Sequence, residues 1–254
     1  MTRDLRPPGP IHGFWCATSD LAVIEHAAQL SPDFLCLDAQ HGIDVSQMTT
    51  HMFSTMRLYD VPGMVRVAQN SPTDIGRALD LGAAGVMVPM VDTANDAERA
   101  VAACRYAPAG TRSYGIRTPR LSAVDPEYRP VCAVQIETAE AVANAEAIAA
   151  VDGVDWLYVG PADLGLSVGG VPAPDVVSVF DGSHPISGEM RSAFDAVVSG
   201  ALAHDKLAGL HTSSGLATRT AEQHGFQVSC VSTDLAEMKS GMAKQLATAR
   251  GEAQ

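Results

Sequence analysis

The feature that most constrains this chain is a repeat. A short, continuously apolar run is followed by a polar or Gly/Pro break and then by an Ala-rich segment with apolar residues at helical spacing, eight times over. The apolar runs are residues 13–17, 34–39, 63–67, 85–90, 131–137, 156–160, 207–212 and 226–232. Most are apolar throughout rather than alternating, the pattern of parallel strands covered on both faces. The intervening segments, residues 20–30, 46–59, 72–81, 95–105, 139–150, 188–204, 215–224 and 235–250, read as helices. Ser19-Asp20, Ser71-Pro72-Thr73-Asp74 and Thr93 through Asp96 supply the oxygens and acids favoured at helix starts. Eight consecutive strand–helix units predict an α/β protein, a closed (β/α)8 TIM barrel, with residues 1–254 as a single domain. An open doubly wound sheet is the other architecture this alternation permits. The first strand-to-helix turn, Ala17-Thr18-Ser19, lacks the G-x-G-x-x-G of a dinucleotide fold, and no nucleotide cofactor is expected.

Composition narrows the function. With 46% apolar and 18% charged residues the chain has enough to fill a core and is not of the disordered class. Its 17 basic against 29 acidic side chains give a net charge of −12 without a basic stripe, which argues against a nucleic-acid partner. No apolar run approaches the roughly 18 residues of a membrane span, and the N-terminus lacks the apolar stretch of a secretory signal. The cysteines, Cys16, Cys36, Cys104, Cys132 and Cys230, are scattered with no CxxC pair, and are expected to be buried small hydrophobes in a reducing compartment, the cytoplasm. Two connections are long, 106–130 and 161–187, and such loops are commonly functional. The stretch 172–185 is expected to lie over the barrel mouth.

In a barrel of this type chemistry sits at the C-terminal ends of the strands. The second run ends at Asp38 and continues to Gln40-His41, and the third ends at Arg66. The fifth carries Gln135 and Glu137, two apart and so on one side. The sixth leads through Gly160 to Asp163, and the seventh ends His211-Thr212-Ser213. Two readings of Glu137 and Asp163 stand together: ligands of a hard divalent ion completed by waters and a chelating substrate, or acids capping the helices that follow. His41 is either a functional group or a satisfied structural histidine. Arg66, at the end of an apolar strand, requires an anion, either a substrate carboxylate or an internal acid. Gly160-Pro161-Ala162-Asp163 presents backbone N–H groups at a helix start, a ready carboxylate site. The lysines are Lys206, before the seventh strand, and Lys239 and Lys244, on the last helix. None is placed to form a Schiff base in the mouth, so carbon–carbon chemistry here calls for a metal as electron sink.

Several strings carry a resemblance. Phe34-Leu-Cys-Leu-Asp-Ala-Gln-His41, Leu79-Asp-Leu-Gly-Ala83, Val88-Pro-Met-Val91, Arg105-Tyr-Ala-Pro-Ala-Gly110 with Arg112, Val134-Gln-Ile-Glu-Thr138 and Val159-Gly-Pro-Ala-Asp-Leu164 run in order over residues 13–234. Together they resemble the HpcH/HpaI family of class II pyruvate aldolases. The resemblance implies a (β/α)8 barrel whose terminal helix packs on a neighbouring subunit, in a homohexamer built from dimers. It implies that Glu137 and Asp163 hold a divalent cation (Mg²⁺, Mn²⁺ or Co²⁺) and that Arg66 binds the pyruvyl group and stabilises the enolate oxygen. His41 then matches the base that works through a metal-bound water, and Asp80 its acidic partner from the adjacent subunit. Gln135 and the backbone of Ala162 and Asp163 match substrate-contacting positions. Trp15 matches an aromatic lining the pocket, its alternative being a core tryptophan.

Two departures from the family pattern stand out. Gln40 occupies a position where the family commonly has a glutamate, and the loop 111–130 differs from that of the sugar-acid aldolases. The extra arginines of that loop, which holds Arg112, Arg117 and Arg120, are expected to be solvated. The activity implied is cleavage or formation of 4-hydroxy-2-oxo acids, with a small 2-oxo acid and an aldehyde as substrates. The rival readings are a decarboxylase of 2-oxo diacids such as oxaloacetate, a sugar-acid-binding barrel with weak catalysis, which Gln40 suggests, and a structural barrel whose acids are only caps.

Overall fold

A computed structural model of the chain describes Leu5 and residues 9–115 and 129–252. Eight strands close into a parallel barrel in chain order: β1 (Ile11–Cys16), β2 (Phe34–Asp38), β3 (Gly63–Arg66), β4 (Gly85–Val88), β5 (Val131–Ile136), β6 (Trp156–Val159), β7 (Leu207–His211) and β8 (Val228–Thr233). The helices are α1 (Leu21–Gln29), α2 (Thr50–Leu58), α3 (Pro72–Leu81), α4 (Ala94–Cys104), α5 (Ala139–Ala143), α6 (Ala145–Ala149), α7 (Pro161–Gly169), α8 (Val176–Asp181), α9 (Ser187–Ala203), α10 (Gly215–Gln223) and α11 (Asp234–Arg250). The eightfold alternation is a closed (β/α)8 TIM barrel, and the open sheet is excluded.

Strand periodicity divides the core in two. Residues such as Ile11, Phe34, Cys36, Met64, Met87, Trp156 and Tyr158 fill the barrel interior. Their alternates, among them Leu35, Leu37, Val65, Val86, Val134 and Leu157, face the helical ring and pack with Ile24, Ile75, Ile148 and Val197. Because both faces are covered, the strands are apolar at every position, which is why the runs do not alternate. The floor is closed at the N-terminal end, where the Trp156 indole N–H donates to the Leu5 carbonyl at 3.2 Å. All five cysteines are free and buried.

The predicted caps form. Asp20 accepts from Ala22 and Val23, Ser71 accepts from Asp74 with Pro72 at the first helical position, and Thr93 with Asp96 makes a reciprocal capping box. Each such cap contributes about 1 kcal/mol.

Three segments depart from expectation. The span 139–150 is two short helices, α5 and α6, separated at Asn144, whose side chain leaves the helix line to donate to the Asp92 carbonyl at 2.8 Å. The span 46–59 begins with a single 3-10 turn, Val45–Gln47, before α2. The stretch 172–185, expected over the mouth, instead holds α8, which packs against α9 and α10. Its Val176 and Val179 are buried, and Phe180 stacks on His224 at 4.2 Å and leans on Phe194 at 5.4 Å. Four apolar side chains at 176, 177, 179 and 180 find their burial on the outer wall.

α11 has no buried residue and exposes Leu235, Met238, Met242 and Leu246. Among the described residues no helix is long and apolar enough to cross a membrane.

Candidate active site

The two-residue period that builds the interior also builds the site. Continuing each inward row to the C-terminal end of its strand brings Trp15 on β1, Asp38 on β2, Arg66 on β3, Gln135 and then Glu137 from β5, Tyr158 on β6 and His211 on β7 to the same end of the barrel. The ladder also sets partners: Asp38 stands opposite Arg66 and Gln135 opposite Tyr158.

Arg66 meets an internal acid. Its Nε donates to Asp38 Oδ1 at 2.8 Å and its Nη2 to Oδ2 at 2.6 Å, a two-pronged pair with side chains 12% and 5% exposed. Asp38 also accepts the backbone N–H groups of Gln40 (3.0 Å) and His41 (3.2 Å), which folds the chain back after β2. Burial alone would raise the Asp38 carboxyl, but the Arg66 guanidinium outweighs it and holds the group below its ordinary range. On its other side the guanidinium lies 4.9 Å from the centre of the Trp15 ring. Trp15, 4% exposed, is thus both a core residue and the wall beneath Arg66.

Glu137 is 3% exposed. Its Oε2 accepts the Met90 backbone N–H and its Oε1 accepts Gln135 Nε2, both at 3.1 Å. Met90 delivers that N–H from a left-handed conformation, φ 53°, a costly geometry for a non-glycine residue. Burial pushes the Glu137 carboxyl up to about 7; the Met90 N–H opposes the shift and the Asp163 carboxylate adds to it. Asp163 lies in the first turn of α7, whose N-cap, Gly160, has no side chain to cover the helix start. A Cβ at Gly160 would overlap the Glu137 carboxylate, so glycine is what lets α7 approach it. The N–H groups of Ala162 and Asp163 therefore belong to a helix N-terminus without a side-chain cap. Gln135 Oε1 and Gln40 Oε1 are buried and have no hydrogen-bond partner among the described residues. No group of three or more His, Cys, Asp or Glu side chains is arranged to hold a metal ion among those residues.

His41 is exposed at this end of the barrel, just beyond the Asp38 turn. Asp80, on α3, is paired within its own chain: its Oδ1 accepts Arg112 Nη2 at 2.7 Å. The structure thus does not bring His41 and Asp80 together in one chain. Arg112, expected to be a solvated loop charge, is 7% exposed and lies 4.6 Å from the centre of the Tyr106 ring. It is buried because Asp80 neutralises it and Tyr106 covers it. Arg117 and Arg120 fall outside the described residues. Asp80 lines an outer cavity of about 430 Å³ with Pro72, Arg77, Thr111 and Ser113.

The sequence marks Asp38 and His211 as polar ends of their runs without assigning them a role, and does not mark Tyr158. The signal for all three is parity, since each lies two residues beyond an inward core position of its own strand. His211 Nδ1 is 3.5 Å from Tyr158 Oη, and its ring meets Trp15 edge-on at 4.8 Å. Burial and the Arg66 charge lower the His211 pKa to about 4, Asp38 opposing. Chemically this end of the barrel offers a fixed guanidinium fork, a buried and an exposed carboxylate, an open helix N-terminus and a neutral imidazole.

Comparison with known proteins bears on this arrangement. The sequence model of the HpcH/HpaI aldolase/citrate lyase family matches residues 12–231. A hydroxypyruvate/pyruvate aldolase of Rhizorhabdus wittichii is 32% identical over 252 residues, covering 97% of this chain and 92% of that protein. A 4-hydroxy-2-oxovalerate aldolase of Novosphingobium aromaticivorans is 40% identical over 193 residues, 71% of each chain. Among solved structures, an HpcH/HpaI aldolase/citrate lyase family protein of Burkholderia cenocepacia superposes with a TM-score of 0.84 at 27% identity, over 95% of both chains.

Proposed function

Because this chain belongs to the HpcH/HpaI aldolase/citrate lyase family, we propose that it is a carbon–carbon lyase that cleaves and forms 4-hydroxy-2-oxo acids, releasing or consuming a pyruvate-type enolate and an aldehyde. The observation that carries this reading is the barrel end at which the Arg66 fork and the buried Glu137 carboxylate lie within each other's field, with Asp163 beside Glu137.

The donor set suits a hard divalent cation. Glu137 and Asp163 offer carboxylate oxygens, and burial, with the Asp163 charge added, disfavours the charged form of Glu137, a cost that a bound cation would offset. Two protein carboxylates leave the remaining positions to water and substrate oxygens, the mode of Mg²⁺, with Mn²⁺ and Co²⁺ as further candidates. When bound, such an ion supplies Lewis acidity, drawing electron density from the 2-oxo acid.

The remaining work falls to the chain's own groups. Arg66, locked by Asp38 and backed by Trp15, holds its N–H groups where the keto oxygen gains charge as the bond between carbons three and four breaks. The Ala162 and Asp163 N–H groups at the start of α7 receive the substrate carboxylate. Gln135, fixed through its Nε2 to Glu137, keeps Oε1 for a donor on substrate or water. His41 takes the proton of the 4-hydroxyl, the general-base role in which imidazole most often serves. Asp80 orients the His41 of a neighbouring copy through Oδ2, which makes no bond to a described residue while Oδ1 is held by Arg112. On this reading residues 1–254 act as a single domain in a cytoplasmic homo-oligomer, a hexamer built from dimers. The apolar side chains on α11 give it a surface to bury.

The test is exchange of the pyruvate methyl protons in D₂O followed by NMR, with Mg²⁺, Mn²⁺ or Co²⁺ added and with the metal removed by EDTA. Metal-dependent exchange, abolished by the Glu137→Gln/Asp163→Asn double variant, is the expected result. No exchange under any metal leaves only a binding barrel. CO₂ release from oxaloacetate without aldol activity toward any of a panel of aldehydes moves the assignment to a decarboxylase.

A further inference from the structure

We propose that His211 is a specificity-determining residue: its imidazole hydrogen-bonds a hydroxyl on the carbon next to the keto group and so favours hydroxylated 2-oxo acid donors over unhydroxylated ones. The inference rests on the aldolase reading of the site.

His211 ends β7 in the inward row that begins at Leu207 and passes through Gly209. Gly209 leaves the space beneath it to the Tyr158 ring, which a Cβ at that position would overlap. The imidazole therefore rests above Tyr158 with Nδ1 directed at Oη, and its edge meets Trp15. Trp15 is shared, since the Arg66 guanidinium lies 4.9 Å from the same indole. Arg66 and His211 thus contact the same indole, so a donor whose keto oxygen is held by Arg66 can reach His211 along that ring.

The state of the ring decides what it does there. Burial and Arg66 keep it neutral above about pH 4, so it carries one donor and one acceptor nitrogen. A group that weakly basic is a poor proton abstractor at neutral pH, which leaves that role to His41 and gives His211 a recognition role. One nitrogen is turned to Tyr158, and Nε2 has no protein partner among the described residues. A hydroxylated donor satisfies Nε2. A methyl donor leaves it facing carbon, the asymmetry that makes a polar site discriminate against an analogue lacking the hydroxyl.

The test compares C3 proton exchange of pyruvate and of hydroxypyruvate in D₂O with Mn²⁺ for the wild type, His211→Leu and His211→Gln, and titrates each donor by calorimetry. The expected result is that His211→Leu lowers kcat/KM for hydroxypyruvate about tenfold more than for pyruvate. His211→Gln, which keeps a polar end, restores most of the preference, and affinities move in the same sense. The same donor ratio in all three proteins, or equal losses for both donors in both variants, overturns the inference and leaves His211 a packing residue. A wild type that neither binds nor exchanges either donor overturns the aldolase reading itself, and the inference with it.

Discussion

Replacing Asp38 by Asn tests whether the guanidinium fork is held as strongly as its geometry implies. Asn is nearly isosteric, but it replaces one acceptor oxygen with an NH₂ group that faces the donors of Arg66. Two charge-assisted bonds of 2.8 and 2.6 Å are lost or inverted, at side chains 5% and 12% exposed. Removing one partner of a buried pair costs about 3–5 kcal/mol, because the survivor stays charged without compensation. In a chain of this size each kcal/mol lowers Tm by about 2–4 °C, so the variant should melt roughly 6–20 °C below the wild type at pH 7. The pH dependence carries a sign. Asp38 titrates below its ordinary value when folded, so its stabilisation is complete above about pH 4 and is lost as pH falls through the folded pKa. The gap between the two proteins should therefore be widest at neutral pH and should close in acid. Thermal unfolding followed by circular dichroism between pH 7 and pH 3 reads both effects. A variant within about 2 °C of the wild type at pH 7, a small fraction of the expected shift, refutes the account of the pair.

Two further outcomes follow from the same site. Replacing Arg66 by Ala should lower kcat/KM for aldol cleavage about 30- to 1,000-fold, the 2–4 kcal/mol carried by a fixed oxyanion donor, and Arg66→Lys should recover little because it lacks the fork; steady-state rates equal to wild type would remove Arg66 from the chemistry. His211 titrates at about 4 when folded against about 6.5 unfolded. Stability is thus unaffected by this residue above about pH 7 and is lost as pH falls toward 4, by about 3 kcal/mol. Urea unfolding from pH 7 to 4 should show the wild type losing that much more than His211→Leu, and parallel curves would mean that the imidazole is not kept neutral.

The barrel was legible because each of its signals is local. Continuous apolarity, caps such as Thr93 with Asp96 and the absence of a phosphate-binding glycine turn are all read within a few residues. The candidate site was legible to the extent that polar residues interrupt strand ends, as Arg66 and Glu137 do. What escaped reading depends on contacts distant in sequence. Arg112 looks solvated until Asp80, 32 positions earlier, is seen to neutralise it. α8 hides in a segment begun by prolines, and its apolar face makes sense only against Phe194 and His224. Asn144 is an ordinary helix residue until the Asp92 carbonyl competes for it. His211 lay within reach of a local rule, since counting by twos along β7 from Leu207 arrives at it.

The placement of Asp38 opposite Arg66 in the β2–β3 ladder bears on how such a protein can change over generations. A single inserted or deleted codon inside either strand would turn its charged terminus out among the helices and strand the other charge in the interior. Indels are therefore tolerated in the connections rather than in these strands, and the strand-borne part of the mouth diversifies by exchanging one side chain for another.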